Sequence, residues 1–233
     1  MEKDKVQGVE MERIPSGIPG LDELIEGGFP FPSVILVSGP TGTGKTTFCL
    51  RFLCKGAERG ERGLFFTTLS ESVHWMLRFS SQLSFMHPEY IDQDIVYVDL
   101  GELIRSGDHD KILEAIERNI AEVMPQRIVI DPITVVGDML KEDYRSFLFD
   151  LGNRLKHWNA TTLVTGEVHP GELYPPEIAY TVDGIVLLVV DDEHGDRRKY
   201  LEVLKMRGTA HSSGRHSIDI SRKDGLVVLK ARF

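Results

Sequence analysis

Read as apolar and polar positions, the chain alternates between two rhythms. Six short runs are apolar along nearly their whole length and rich in β-branched or aromatic residues: SVILVS (Ser33–Ser38), LFFTT (Leu64–Thr68), IVYVDL (Ile95–Leu100), RIVID (Arg127–Asp131), TTLVTG (Thr161–Gly166) and GIVLLVV (Gly184–Val190). Runs of this kind predict strands covered on both faces, as in a mostly parallel sheet with crossover helices. Between them the period lengthens. In DHDKILEAIERNIAEVM, Ile112, Ala115, Ile116, Ile120 and Val123 recur at steps of three and four, with Asp108 placed to cap the start. DYRSFLFDLGNRLKHW carries Phe147, Leu148, Leu151 and Leu155 on one side, and ESVHWMLRFSSQL reads as a further helix. Strand and helix in alternation build an open α/β sheet flanked by helices. The tail departs from this rhythm. KYLEVLKMRG, HSIDIS and LVVLKA follow one another across turn residues with no helix-length spacer, which predicts C-terminal antiparallel strands on one edge of the sheet. No internal repeat at a fixed period is present.

Length and composition narrow the class without changing it. The 233 residues, 41% apolar and 27% charged, suit one domain over residues 13–233 behind a loose N-terminal arm at 1–12, MEKDKVQGVEME. No run of eighteen apolar residues and no signal-peptide core occur, so the expectation is no membrane insertion and a cytoplasmic location. Cys49 and Cys54 lie five apart with no second pair at zinc spacing, and read as reduced packing residues. The formal charge is −9, from 27 basic and 36 acidic side chains, and leaves no electrostatic footprint for wrapping nucleic acid. The nearest basic strip, Arg197–Lys199, reads as a solvated turn between two strands.

Chemistry concentrates at GPTGTGKT, which fits G-x-x-x-x-G-K-[ST] without deviation. Glycines at 39, 42 and 44 let the backbone curl until successive N–H groups point at one phosphate, itself on the positive end of the following helix. The binding loop comprises Gly39, Pro40, Thr41, Gly42, Thr43, Gly44, Lys45, Thr46 and Thr47. Lys45 adds a cation toward the terminal phosphates, and Thr46 offers a hydroxyl to Mg²⁺. RIVID ends in Asp131, where the second carboxylate partner of such a metal belongs; the bland alternative is a carboxylate capping the turn before Pro132.

RIPSGIPGLDELIEGGFP directly before SVILVSGPTGTGKTTF, together with LKMRGTAHSSG near the end, resembles the KaiC-like branch of the RecA superfamily of ATPases, from Arg13 to about Leu229. The resemblance implies a RecA-like P-loop NTPase fold, ATP and Mg²⁺ as ligands, and a homo-oligomer, usually a hexameric ring, with ATP at subunit interfaces and an unidentified protein partner. It implies that Thr46 and Asp131 hold the metal, the latter through water. Members usually end the strand after the P-loop helix in two adjacent glutamates. Here FFTTLSES leaves Ser70 in the first place and Glu71 in the second, so Glu71 is the expected catalytic base, with slow turnover; its alternative role is to cap the helix that follows. Lys205 and Arg207 share one face of an extended strand, Met206 the other. The resemblance assigns that pair to a neighbour's γ-phosphate, with Thr209 and His211 near the same nucleotide, against the alternative of a solvent-facing edge strand. Thr165 and Glu167 resemble the strand end that senses the γ-phosphate. HPGELYPPEIAY falls at the pore-facing loop of such rings, or is a rigid surface loop.

Three functions compete on these residues: a Mg²⁺-dependent ATPase, a non-hydrolysing ATP-sensing scaffold suggested by Ser70, and a DNA recombination or repair ATPase. The third is disfavoured by the acidic balance and the absence of a basic, aromatic-interleaved loop. A Rossmann dehydrogenase is a poor fit, because the loop has the Lys-Thr ending of a triphosphate site and no G-x-G-x-x-G.

Overall fold

The apolar runs become the spine of one large sheet. The computed structural model describes residues 11–68, 73–91, 93–169, 171–193 and 196–229, so most of the expected N-terminal arm lies outside the described residues. The chain opens with a small antiparallel ribbon of β1 (Arg13–Ile14) and β2 (Phe29–Pro30). It continues through β3 (Ser33–Ser38), α1 (Lys45–Ala57), β4 (Gly63–Thr67), α2 (Val73–Ser80), β5 (Ile95–Asp99), α3 (Gly101–Arg105), α4 (His109–Val123), β6 (Arg127–Asp131), α5 (Thr134–Leu140), α6 (Tyr144–His157), β7 (Thr161–Gly166) and α7 (Pro176–Ala179). The tail consists of β8 (Gly184–Glu193), β9 (Asp196–Met206), β10 (Arg215–Ser221) and β11 (Gly225–Val228).

The strand order is β11-β10-β9-β8-β3-β7-β6-β4-β5. From β8 to β5 all neighbours are parallel, and β9, β10 and β11 extend the β8 edge antiparallel. Alternate residues of each central strand serve two cores. Ile35 and Val37 pack with Phe48, Phe52 and Leu53 of α1, while Val34 and Leu36 pack with Ile112 and Ile116 of α4 and Phe147 and Leu151 of α6. Both faces are therefore apolar, which is why these strands show no alternation in sequence. The α4 start is capped as its sequence predicts: the Asp108 carboxylate accepts from the Lys111 backbone N–H at 3.1 Å.

One buried cation ties the layers together. Arg127, fully buried at the start of β6, donates through Nε to Glu61 at 2.6 Å and through Nη1 to the carbonyls of Pro15 and Phe52, each at 2.9 Å. Its guanidinium lies 4.5 Å from the Phe52 ring centroid. Gly56 of α1 makes room for it: a Cβ there would meet Arg127 Cδ at 2.5 Å.

Candidate nucleotide site

The phosphate loop leaves the C-terminal end of β3, in the middle of the sheet. Gly39 is pressed against β8, so that a Cβ would meet the Leu188 carbonyl at 2.4 Å, and its N–H donates to Gly166 at 3.2 Å. Gly42 and Gly44 have φ of 79° and 102°, a left-handed backbone that glycine alone adopts without strain. Gly44 begins α1 with no side-chain cap, so the first N–H groups of the helix are left to face an anion. Thr43 is buried and donates to the Pro40 carbonyl at 2.8 Å.

Thr41, Gly42, Gly44, Lys45, Thr46 and Thr47 line a cleft of 440 Å³, completed by Asp131 and Glu167, by Lys199, and by the apolar Phe65, Met76 and Ile220. Lys45 Nζ donates to the Gly39 and Pro40 carbonyls at 2.7 and 3.1 Å and lies 3.7 Å from the Glu167 carboxylate. Glu167 also accepts from the Thr41 hydroxyl at 3.2 Å. Burial holds the Lys45 ammonium below its usual pKa, opposed by the charges of Glu167 and Asp131. Thr46 Oγ1 donates to Asp131 Oδ2 at 2.6 Å, and the Thr165 hydroxyl donates to the other oxygen. Burial pushes the Asp131 carboxyl up, opposed by those two hydroxyls and by Lys45. The strand ends of β3, β6 and β7 thus bring hydroxyl, carboxylate and ammonium to one point.

The other expected residues lie elsewhere or outside the description. Ser70 and Glu71 are outside the described residues, as is the start of the helix expected there, of which α2 is the described part. Lys205, Arg207, Thr209 and His211 do not line their own chain's cleft. Lys205, near the end of β9, donates to the Ala179 and Val182 carbonyls at 3.2 and 2.7 Å, and burial lowers its pKa. Arg207 lies just past the strand and donates to Asp183 at 2.9 Å. Asp183 in turn accepts from the Val34 N–H at 3.1 Å, so this cluster sits at the N-terminal end of β3, opposite the phosphate loop. Met206 is buried while Arg207 is exposed, the alternation expected of an extended segment. Thr209 accepts from Arg13 at 3.1 Å, and His211 Nδ1 is 3.3 Å from the Ser212 carbonyl. In the segment His169–Tyr180, the described residues include α7, and the Leu173 carbonyl accepts from Ser38 at 3.2 Å.

Lys199 requires a correction. Arg197–Lys199 is part of β9, not a turn, and Lys199 Nζ reaches the Gly42 carbonyl at 3.0 Å. The β8–β9 hairpin overshoots the sheet: Ser38 is level with Leu187, but Lys199 pairs with Val190, three residues farther along. The overshoot hangs Lys199 over the loop. Ile220, from HSIDIS, closes the same side, with Cδ1 2.6 Å from where a Gly44 Cβ would stand.

A parallel sheet that delivers this loop from β3 into α1, with Asp131 two strands away, defines a P-loop nucleotide-binding protein of RecA-like fold. The family model for ATPase: KaiC matches residues 14–232. A UPF0273 protein of Thermotoga maritima is 31% identical, the alignment covering 94% of this chain and 96% of that protein. The circadian clock oscillator protein KaiC of Parasynechococcus marenigrum is 32% identical over 88% of this chain but only 43% of its own length. The crystal structure of a KaiC-like protein from Pyrococcus horikoshii superposes with a TM-score of 0.84 at 34% identity, covering 94% of this chain and 99% of that one. The chain belongs to the KaiC ATPase family. Among the described residues no helix is long and apolar enough to cross a membrane.

Proposed function

We propose that this chain is a Mg²⁺-dependent ATPase that works as a ring of copies, each cleft completed by a neighbour, and that its nucleotide state governs assembly or contact with a protein partner. The observation that carries the reading is the split between two half-sites. The loop end of the sheet holds Lys45, Thr46 and Asp131 around one cleft, while Lys205 and Arg207 lie at the opposite end of their own sheet. A head-to-tail ring brings one end against the other.

The residues at the cleft fit a triphosphate and its metal. One carboxylate and one hydroxyl, joined at 2.6 Å, are the few protein ligands that Mg²⁺ takes beside phosphate oxygens and water. Thr46 and Asp131 would hold it, and it would supply charge neutralisation on the terminal phosphates. Lys45 and the N–H groups of residues 42–46 bind the phosphates and orient the terminal one. Glu71 orients the attacking water and takes its proton. Lys205 and Arg207 of the next subunit meet charge developing on the γ-phosphate, with Thr209 and His211 beside them; a cation supplied in this way is worth roughly 10³ to 10⁵ in rate.

Ser70, in place of a first glutamate, favours a second reading in which the ring binds ATP as a signal without appreciable hydrolysis. Phosphate release from Mg²⁺-ATP by wild type, Lys45→Ala and Glu71→Gln, with mass by light scattering on the same samples, separates the two. Turnover lost in both variants while Glu71→Gln still binds and assembles supports the ATPase. Absence of turnover in wild type, with ATP-dependent assembly intact, supports the sensor.

A further inference from the structure

Arg13 opens the RIPSGIPGLDELIEGG segment yet takes no part in the cleft. Its guanidinium spans two pieces of chain far apart in sequence. On one side it donates to the Ile25 and Gly28 carbonyls, each at 3.1 Å, and pairs with Glu26 at 2.7 Å. On the other it donates to the Thr209 hydroxyl at 3.1 Å and the Gly208 carbonyl at 3.3 Å. The second group is the turn directly after Met206, closed by Thr209 N–H on the Met206 carbonyl at 3.3 Å and bent by Gly208 at φ 66°. Beyond it, Ser212 N–H donates to the Leu24 carbonyl at 2.8 Å, so the stretch Leu24–Gly28 is tied to the segment on both sides of the turn.

The need for such a clasp follows from what the turn carries. The Arg207 side chain is 59% exposed and anchored only at its tip among the hydrogen bonds described, on Asp183. Its backbone keeps one last bond to the neighbouring strand, N–H to the Asp183 carbonyl at 3.0 Å, and beyond that, past the end of β9, the chain turns away from the sheet. A planar fork with five donors serves all five of these Arg13 acceptors at once, more than the three donors of a lysine could. We propose that Arg13 is a positioning residue, which fixes the Arg207–Thr209 turn so that Lys205 and Arg207 meet the nucleotide of a neighbouring subunit. The inference rests on the trans arrangement proposed above.

The test mixes two inactive subunits. Lys45→Ala has a dead cleft and an intact donor end; Arg207→Ala has an intact cleft and a dead donor end. Coexpressed at equal amounts, they form live junctions at about one interface in four, and turnover returns to about a quarter of wild type. Arg13→Met added to the Lys45→Ala subunit should abolish this rescue, by roughly 100-fold for a misplacement near 1 Å. Added to the Arg207→Ala subunit, it should leave the rescue intact. Arg13→Lys, which keeps the charge without the fork, should give an intermediate loss in the first placement alone, and serves if the Met variant fails to fold. Equal loss in both placements means that Arg13 only holds the fold, and no loss in either means that the turn needs no clasp; each overturns the inference. Absence of rescue in the parent mixture overturns the trans arrangement itself, and the inference with it.

Discussion

Glu167 is the counter-ion of Lys45, and that makes it a competitor of phosphate. Glu167→Gln keeps the shape and leaves an amide oxygen for the Thr41 hydroxyl, but removes the charge 3.7 Å from Nζ. Because Glu167 is 51% exposed, the attraction amounts to about 1 kcal/mol rather than its interior value. The substitution removes that amount from the protein before it binds, and a repulsion of similar size once a triphosphate sits beside residue 167. Affinity for ATP should therefore rise by about 5- to 30-fold at low ionic strength, shrinking toward about twofold near 0.5 M salt as the charges are screened. Titration calorimetry with a non-hydrolysable ATP analogue at both salt concentrations measures this. Unchanged or weaker binding at low salt would refute the reasoning, and would mean that Glu167 itself helps to hold the nucleotide.

Three further outcomes follow from the packing. Gly56→Ala, which should gain about 1 kcal/mol of helix propensity, should instead destabilise by about 2 to 4 kcal/mol because the new Cβ displaces Arg127 from its buried partners; in an Arg127→Met background the cost should largely vanish in urea unfolding. Lys199→Met, which frees the Gly42 carbonyl, should weaken ATP binding by about 2- to 5-fold, the worth of one exposed hydrogen bond, with little change in melting temperature. Cys54 is pushed up to about 12, chiefly by burial, and Cys49 also lies well above its ordinary value; at pH 8 the Cys54 thiolate fraction is roughly 10⁻⁴, so a thiol reagent should label neither cysteine until urea unfolds the chain, and rapid labelling of the native protein would contradict the burial of both.

What the sequence disclosed and what it concealed divide along a physical line. The doubly covered strands, the glycines at 39, 42 and 44, and the Asp108 cap are each set by a few neighbouring residues, so their pattern is local and readable. The meeting of Thr46 with Asp131 was legible because Thr46 opens the helix that the phosphate loop carries from the end of β3, and Asp131 ends β6 at the same edge of the sheet, where parallel pairing leaves few alternatives. Lys199 was concealed because its place depends on how far a hairpin overshoots the sheet, which turn residues alone do not reveal. Arg13 was concealed for the same reason: its partners are 12 to 196 residues away. The two-residue ribbon of β1 and β2 and the five-residue α3 are too short to show any period. Glu71 stays as sequence placed it, an expectation for kinetics to decide.

The antiparallel tail also has a mechanical meaning. Lys199 touches a subunit's own phosphate loop, and Lys205, on the same strand, belongs to the end proposed to meet a neighbour. Six residues of extended chain separate them, about 20 Å, with hydrogen-bonded ladders at their sides from Tyr200 to Glu202. A ribbon of this kind resists stretching, and its compliant point is the register shift at Ile185 and Val186. In a closed ring β9 would act as a tie rod, placing successive clefts in mechanical series, so that a pull exerted at one loop is felt at the next.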